Sequence, residues 1–159
     1  MFAVEIDQES IEKSANGSIT GSIWLQMDDA AFPEQGWNDF VVVILGWWTN
    51  EAAALIAGTK TRGELMFMDG PLSVAISAEG ERWKLECNRR QRSGRTLEHR
   101  ATVEVSDVAA ALVRAADTVL QRCEKERWKS SDIEELQRGR AALAHAAGAN
   151  LKSFVDPRL

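Results

Sequence analysis

In the first 105 residues, apolar and polar positions alternate along several short stretches, which is typical of strands that bury one face. The clearest stretch is 19–27, where Ile19, Gly21, Ile23, Leu25 and Met27 share one side. Similar alternation predicts a strand over Phe2–Ile6. Four further strands are predicted over 65–68, 72–78, 83–87 and 97–105, with Asp69-Gly70-Pro71 and Glu79-Gly80-Glu81 as the turns.

One apolar run does not alternate. Phe40–Leu45 is continuous and rich in β-branched residues, which predicts a central strand covered on both faces. The alanine-rich stretch Glu51–Ala57 predicts a short helix capped by Thr49 or Asn50 and ended by Gly58.

After Ser106 the apolar spacing becomes helical. A first helix is predicted from Ser106 or Asp107 to about Arg127. A second is predicted from a cap at Ser130 or Ser131 to Gly148, with Glu134 completing a capping box if Ser131 is the cap.

Strands first and helices last predict an α+β fold: a mainly antiparallel sheet of about six or seven strands with two C-terminal helices packed on one face. The 159 residues are expected to form a single domain. Within it, 1–105 is mostly β, 106–148 forms the two helices and 149–159 is a tail.

Composition excludes several classes of protein. No apolar run is long enough to cross a membrane, and the N-terminus lacks the features of a signal peptide. The two cysteines, Cys87 and Cys123, lie in apolar patterns and are expected to be buried thiols in a cytoplasmic protein. The net charge of −5 argues against a nucleic-acid partner. We expect no metal and no cofactor.

The charge is unevenly distributed along the chain. Residues 1–59 carry nine acids and one base, a net charge of −8, whereas residues 60–100 carry +3 and residues 101–159 are neutral. The N-terminal third is therefore expected to attract a basic partner.

The same third contains most of the tryptophans. Trp47 and Trp48 are expected to fill the core or cover the sheet. Exposed aromatic residues ringed by acids are typical of binding hot spots. The predicted partner-binding residues are accordingly Trp24, Asp28, Asp29, Phe32, Glu34, Trp37 and Asp39, with Trp37 equally able to be structural.

Catalytic signals are weak. The sequence contains none of the motifs of serine hydrolases, zinc proteases or nucleotide-binding loops. His99 and His145 are expected to be structural or surface residues, and Asp69 a turn residue. The basic run Arg89–Arg95 is expected to be a solvated loop, with contact to phosphate as the alternative.

Three stretches carry a resemblance: Phe32–Phe40, Phe67–Pro71 and the two helical segments with Trp128 between them. Together they resemble small bacterial α+β proteins, some similar in size and charge to the immunity proteins of polymorphic toxin systems. The resemblance implies a small, acidic, cytosolic protein that binds a basic toxin domain. It implies no catalytic residues.

The leading hypothesis is a non-enzymatic protein-binding protein of immunity type, with an acidic, aromatic-bearing surface that meets a basic partner. One alternative is a small-molecule-binding protein or enzyme with a cleft between sheet and helices, in which Asp69 and His99 would converge. A further alternative is a structural homodimer.

Overall fold

Two antiparallel sheets and three helices make up the fold in the computed structural model, which describes the backbone of residues 1–154 and the side chains of residues 1–148. The first sheet contains β1 (Phe2–Ile6), β2 (Glu12–Lys13), β3 (Ile19–Met27), β4 (Ala30–Phe32) and β5 (Asn38–Asp39). The second contains β6 (Arg62–Met66), β7 (Leu72–Glu79), β8 (Arg82–Gln91) and β9 (Gly94–Glu104). The helices are α1 (Val41–Ile56), α2 (Val105–Lys125) and α3 (Ser131–Phe154).

The α+β class and the antiparallel pairing are confirmed, but the predicted single sheet of six or seven strands is too simple. The described residues form nine strands in two sheets. The extra strands, β2, β4 and β5, have only two or three residues each and lie in segments whose polar composition predicted loops.

β3 is the strand on which the first sheet is built. All four other strands of that sheet pair with it. Its side chains alternate between buried and half-buried along its whole length, as the sequence pattern predicted. Ile19, Ile23, Leu25 and Met27 lie in the core, so the opposite side of β3 is the outer face of the sheet.

The predicted central strand at Phe40–Leu45 is wrong, because these residues form the N-terminal part of α1. α1 packs against α2, α3, β3 and β6, so it is buried on nearly every side and needs apolar residues all round. A continuous apolar run fits a buried strand and a buried helix equally well, and here burial outweighs the strand preference of valine and isoleucine.

The predicted cap at Thr49 or Asn50 is also wrong, because α1 already begins at Val41. Both residues lie inside α1, and their side chains donate hydrogen bonds to carbonyl oxygens of the preceding turn. Thr49 Oγ1 bonds to Leu45 O at 2.8 Å, and Asn50 Nδ2 bonds to Gly46 O at 2.8 Å.

The two C-terminal helices are present, with different ends from those predicted. α2 begins at Val105 and α3 continues past Gly148 to Phe154. The predicted tail therefore begins with helical backbone, and its last part, 155–159, lies outside the described residues. Asp117 of α2 accepts two hydrogen bonds from Arg140 of α3, which joins these helices.

The second sheet is a meander in the order β6-β7-β8-β9. β8 and β9 are longer than predicted, because Arg89–Gln91 and Gly94–Leu97 continue the pairing and leave Arg92 and Ser93 as the turn. A register shift between Cys87 and Asn88 shows a bulge in this pair. The bulge moves Leu97 to the solvent side, where it is 40% exposed, although the alternation placed it with His99 and Val103.

Candidate functional site

The outer face of the first sheet is the candidate functional site. Trp24 lies near the middle of this face, on β3, and Glu5 of β1 lies directly opposite it. Trp24 is half-buried and does not belong to the hydrophobic core cluster. Its indole Nε1 is buried, and it has no hydrogen-bond acceptor within the described part of the chain. Trp24 is therefore a large aromatic side chain that does not contribute to the hydrophobic core.

Exposed acidic residues lie on the first sheet and in the connections between its strands. We call the exposed carboxylates of the first sheet and its connections the acidic surface: Glu5, Asp7, Glu9, Glu12, Asp28, Asp29 and Glu34. Only Asp28 has an ion pair among the residues that the structure describes, at 3.1 Å from the N-terminal ammonium of Met1. The other six carboxylates have no ion pair in the described part of the chain.

The second sheet behaves differently, although it also carries acids. The five carboxylates on its strands pair with arginines or lysines, as in Arg89–Glu98 at 2.7 Å and Arg82–Glu104 at 3.1 Å, whereas Asp69 and Glu81 in its turns have no ion pair within the described residues. Exposed pairs of this kind contribute little to stability, but they do neutralise the local field. The negative potential of the protein is therefore concentrated on the first sheet.

Two of the predicted partner-binding residues lie in the interior. Phe32 is 2% exposed and meets Phe67 edge to face, with ring centroids 5.7 Å apart. Asp39 is fully buried. Neither side chain is accessible to a partner, because both are buried against other parts of the same chain.

Asp39 instead connects three parts of the fold. Its carboxylate accepts hydrogen bonds from Trp37 Nε1 at 3.0 Å, the Phe40 amide at 2.7 Å and the Asp69 amide at 3.1 Å. Phe40 precedes the first residue of α1, so the carboxylate also lies at the positive end of that helix. The bond to Asp69 holds the turn between β6 and β7.

Trp37 has a structural contact as well as partial exposure. Its indole donates to Asp39, and its ring lies 3.6 Å from the position that a side-chain carbon at Gly70 would occupy. Of the predicted set, Asp28, Asp29 and Glu34 are exposed and Trp24 and Trp37 are half-buried. Partner binding by these five residues remains a prediction.

The sequence pattern did not distinguish Trp47 from Trp48. Trp48 is fully buried and donates from Nε1 to Met66 O at 2.8 Å, whereas Trp47 is 46% exposed. Adjacent residues of a helix point about 100° apart, and here Trp48 points toward the core while Trp47 points toward solvent. A strand prediction could not identify which one was buried.

The histidines and cysteines differ in burial. His99 is half-buried opposite Cys87, and His145 is exposed on α3. Both cysteines are buried free thiols, as predicted. Burial, followed by the charge of Glu98, raises the pKa of the Cys87 thiol to about 12. A thiol so protonated is a poor nucleophile at neutral pH.

An apolar cavity of about 560 Å³ lies where the end of α1 meets the start of α2. Its walls include Ile56, Val105, Ala109 and Val113, with Arg114 as the charged group on α2. Its position does not bring Asp69 and His99 together, because neither residue lines it.

No three His, Cys, Asp or Glu side chains within residues 1–154 converge so that they could hold a metal ion. No helix within that range has the length and apolar character needed to cross a membrane.

Comparisons with known proteins give no assignment. No protein-family model matches the sequence, and neither a curated protein nor a solved structure matches it either.

Proposed function

We propose that this chain is a non-enzymatic protein-binding protein of immunity type, whose acidic surface meets a basic protein partner. The observation that carries the proposal is the contrast between the two sheets. Six exposed carboxylates on the first sheet and its connections have no ion pair within the described residues, while all five acids on the strands of the second sheet are paired.

Uncompensated charge suits association with an oppositely charged protein. It repels itself in the free protein and steers a basic partner toward the correct face, which raises the association rate more than the final affinity. Trp24 would then supply the desolvated anchor, since tryptophans ringed by polar groups dominate many interfaces.

The cellular setting follows from the same proposal. An immunity protein would act in the cytoplasm and neutralise a toxin domain that carries a basic surface. Phe32–Phe40, Phe67–Pro71 and the two helical segments with Trp128 between them resemble small bacterial α+β proteins, some similar in size and charge to immunity proteins, which supports this view.

The test begins with capture of the partner from the native host on the tagged chain, followed by kinetics with the purified partner. We expect the double variant Glu5→Lys/Asp29→Lys to slow association about tenfold or more at low salt. The difference should shrink as salt screens the charges. Trp24→Ala should speed dissociation and weaken binding by about 2 kcal/mol.

The matched control is Glu81→Lys/Glu124→Lys, which changes the net charge equally at exposed positions outside the first sheet. An equal loss of association rate in both double variants would show that net charge alone matters. That result, or a captured partner without a basic surface, would overturn the proposal.

A second candidate function rests on the apolar cavity of about 560 Å³. Its volume falls within the range of about 300–1,000 Å³ that small-molecule sites occupy. Under this alternative the chain binds a small apolar ligand. Ala110→Trp, at an exposed alanine that lines the cavity, should then abolish uptake of an apolar fluorescent dye without unfolding the protein.

A further inference from the structure

The tip of the β8–β9 hairpin places two arginines against each other. Arg90 and Arg95 are direct Cα partners, so their side chains project from the same face of the sheet. Like charges directly opposite in an antiparallel pair destabilise it. Such a pair therefore needs a counter-charge, from the protein or from a ligand.

The protein supplies only part of that counter-charge. Arg95 Nη2 lies 4.0 Å from Glu64 Oε1 on β6, at the outer limit of an ion pair. Arg90 has no carboxylate within ion-pair distance in the described residues. Two guanidinium groups and one carboxylate leave one positive charge at this position.

The neighbouring arginines of the same hairpin are neutralised more closely. Arg89 Nε lies 2.7 Å from Glu98, and Arg100 Nε lies 3.6 Å from Glu86. Arg90 and Arg95 thus differ from the other arginines on the two strands, each of which lies within 3.6 Å of a carboxylate.

Both arginines line a small cavity of about 120 Å³. Ser73 of β7 and Asn88 of β8 contribute to its walls, and Gly70 and Pro71 of the β6–β7 turn close one side. Ser73 and Asn88 are Cα partners, so they present a hydroxyl and a carboxamide from the same face.

Hydrogen-bond donors dominate the polar part of this lining. A guanidinium offers a planar set of N–H groups that matches the oxygens of a phosphate or a carboxylate. Asn88 Nδ2 uses one hydrogen for Glu86 O at 3.1 Å and has a second available. The Ser73 hydroxyl can donate as well.

We propose that the cleft between Arg90 and Arg95 is a binding site for a small oxyanion, a phosphate or a carboxylate group. The bound oxygens lie between the two guanidinium groups and supply the missing counter-charge, while Ser73 and Asn88 orient the group from the sheet. This site lies on the second sheet, so it does not depend on the acidic surface or on the proposed function.

The backbone that carries the site is well held. Arg90 donates its amide to Pro71 O at 2.7 Å, which ties the hairpin tip to the β6–β7 turn. The Glu64 amide donates to Glu51 Oε2 at 2.8 Å, which fixes the strand that carries the partner carboxylate of Arg95. The backbone that presents the two arginines is therefore fixed before binding, which lowers part of the entropic cost.

The experiment is an NMR titration of the ¹⁵N-labelled full chain with inorganic phosphate, and separately with acetate, at constant ionic strength. We expect saturable shifts of the Ser73, Asn88 and Arg90 amides with at least one anion. Arg90→Gln and Arg95→Gln should each weaken binding about tenfold. Saturation with phosphate alone identifies a phosphate group as the ligand, with acetate alone a carboxylate, and with both a general oxyanion site.

The matched control is Arg92→Gln, which removes the same charge from the turn of the same hairpin but lies outside the cavity. Its affinity should stay within about twofold of the parent. If Arg92→Gln weakens anion binding equally, the anion is attracted only by the overall positive charge of the hairpin, and the proposal is overturned. Titrations in which neither anion gives a saturable shift while the spectrum remains that of a folded protein would also overturn it.

Discussion

Gly139 of α3 lies against the hydroxyl of Thr49 of α1. A side-chain carbon at Gly139 would collide with Thr49 Oγ1 and would also meet the Thr49 Cβ at 3.3 Å. Thr49 Oγ1 is itself fixed by hydrogen bonds to Leu45 O at 2.8 Å and Gly46 O at 3.2 Å. Only glycine at position 139 allows the two helices to approach this closely.

Gly139→Ala should therefore destabilise the protein by about 1–3 kcal/mol, although alanine is the better helix former. Urea unfolding measures the change. Gly148→Ala is the control in the same helix, because within the described residues no atom outside its own stretch of the helix lies within 4 Å of the added carbon. It should leave stability unchanged or raise it by about 1 kcal/mol. Equal effects of the two substitutions would refute the close contact.

A double-mutant cycle tests the same contact directly. Thr49→Ala removes the hydroxyl that the new carbon would strike, so Thr49→Ala/Gly139→Ala should be more stable than the sum of the single effects predicts. A coupling energy of about 0.5 kcal/mol or more is expected for residues in contact. If the changes in the free energy of unfolding are strictly additive, the two helices move apart to accommodate the new side chain without contact at Thr49.

Asp39→Ala should lower the free energy of unfolding by about 3 kcal/mol or more, because it leaves three N–H donors without their acceptor. Asp39→Asn keeps an acceptor oxygen and should lose less. Asp29→Ala is the control, since Asp29 is exposed. A change at Asp29 as large as that at Asp39 would contradict the interior role of Asp39.

Ser130→Ala should destabilise α3 by about 1 kcal/mol, because the Ser130 hydroxyl accepts the Ile133 amide at 3.2 Å. Ser131→Ala, at the first residue of the helix, should change stability by less than about 0.5 kcal/mol. Thermal or urea unfolding of the two variants decides which serine is the cap. A larger loss of stability for Ser131→Ala would show that Ser131, not Ser130, is the cap.

The Cys87 thiol should resist modification by thiol reagents in the folded protein at pH 8 and react once the chain is unfolded in urea, since burial raises its pKa from 9.0 to about 12. Burial also raises the pKa of Cys123. The unfolded chain loses the Cys87 proton at lower pH than the folded one, so stability should fall as pH rises from 9.0 toward 12. Rapid labelling of Cys87 in the native state would disprove the predicted resistance of the thiol to modification.

Strand positions with one buried face could be predicted from the sequence. The alternation over Ile19–Met27 gave both the length of β3 and its buried side, because strand geometry translates directly into a repeat of every second residue. The helical stripe of α2 was equally clear. Local spacing is sufficient in these cases, since each element meets solvent on one side.

The candidate site was only partly predictable. The excess of acids in residues 1–59 predicted where the negative charge is concentrated. The position of Trp24 on the polar side of its strand predicted that this aromatic residue is not fully buried. Phe32 and Asp39 lie in the same polar loop sequence, yet both are buried. Their burial depends on Phe67 and Asp69, about thirty residues further along the chain, and local composition carries no record of such contacts.

By itself, the sequence determined the class of the fold, the buried face of β3, the two C-terminal helices and the concentration of acids in the first third of the chain. Each of these depends on local spacing or on composition. The tertiary structure alone decided that Phe40–Leu45 begins a helix, that Trp47 is exposed while Trp48 is buried, and that Arg90 and Arg95 share a cleft. These features depend on what packs against a segment from distant parts of the chain, and a buried segment carries no polar side from which its secondary structure could be inferred.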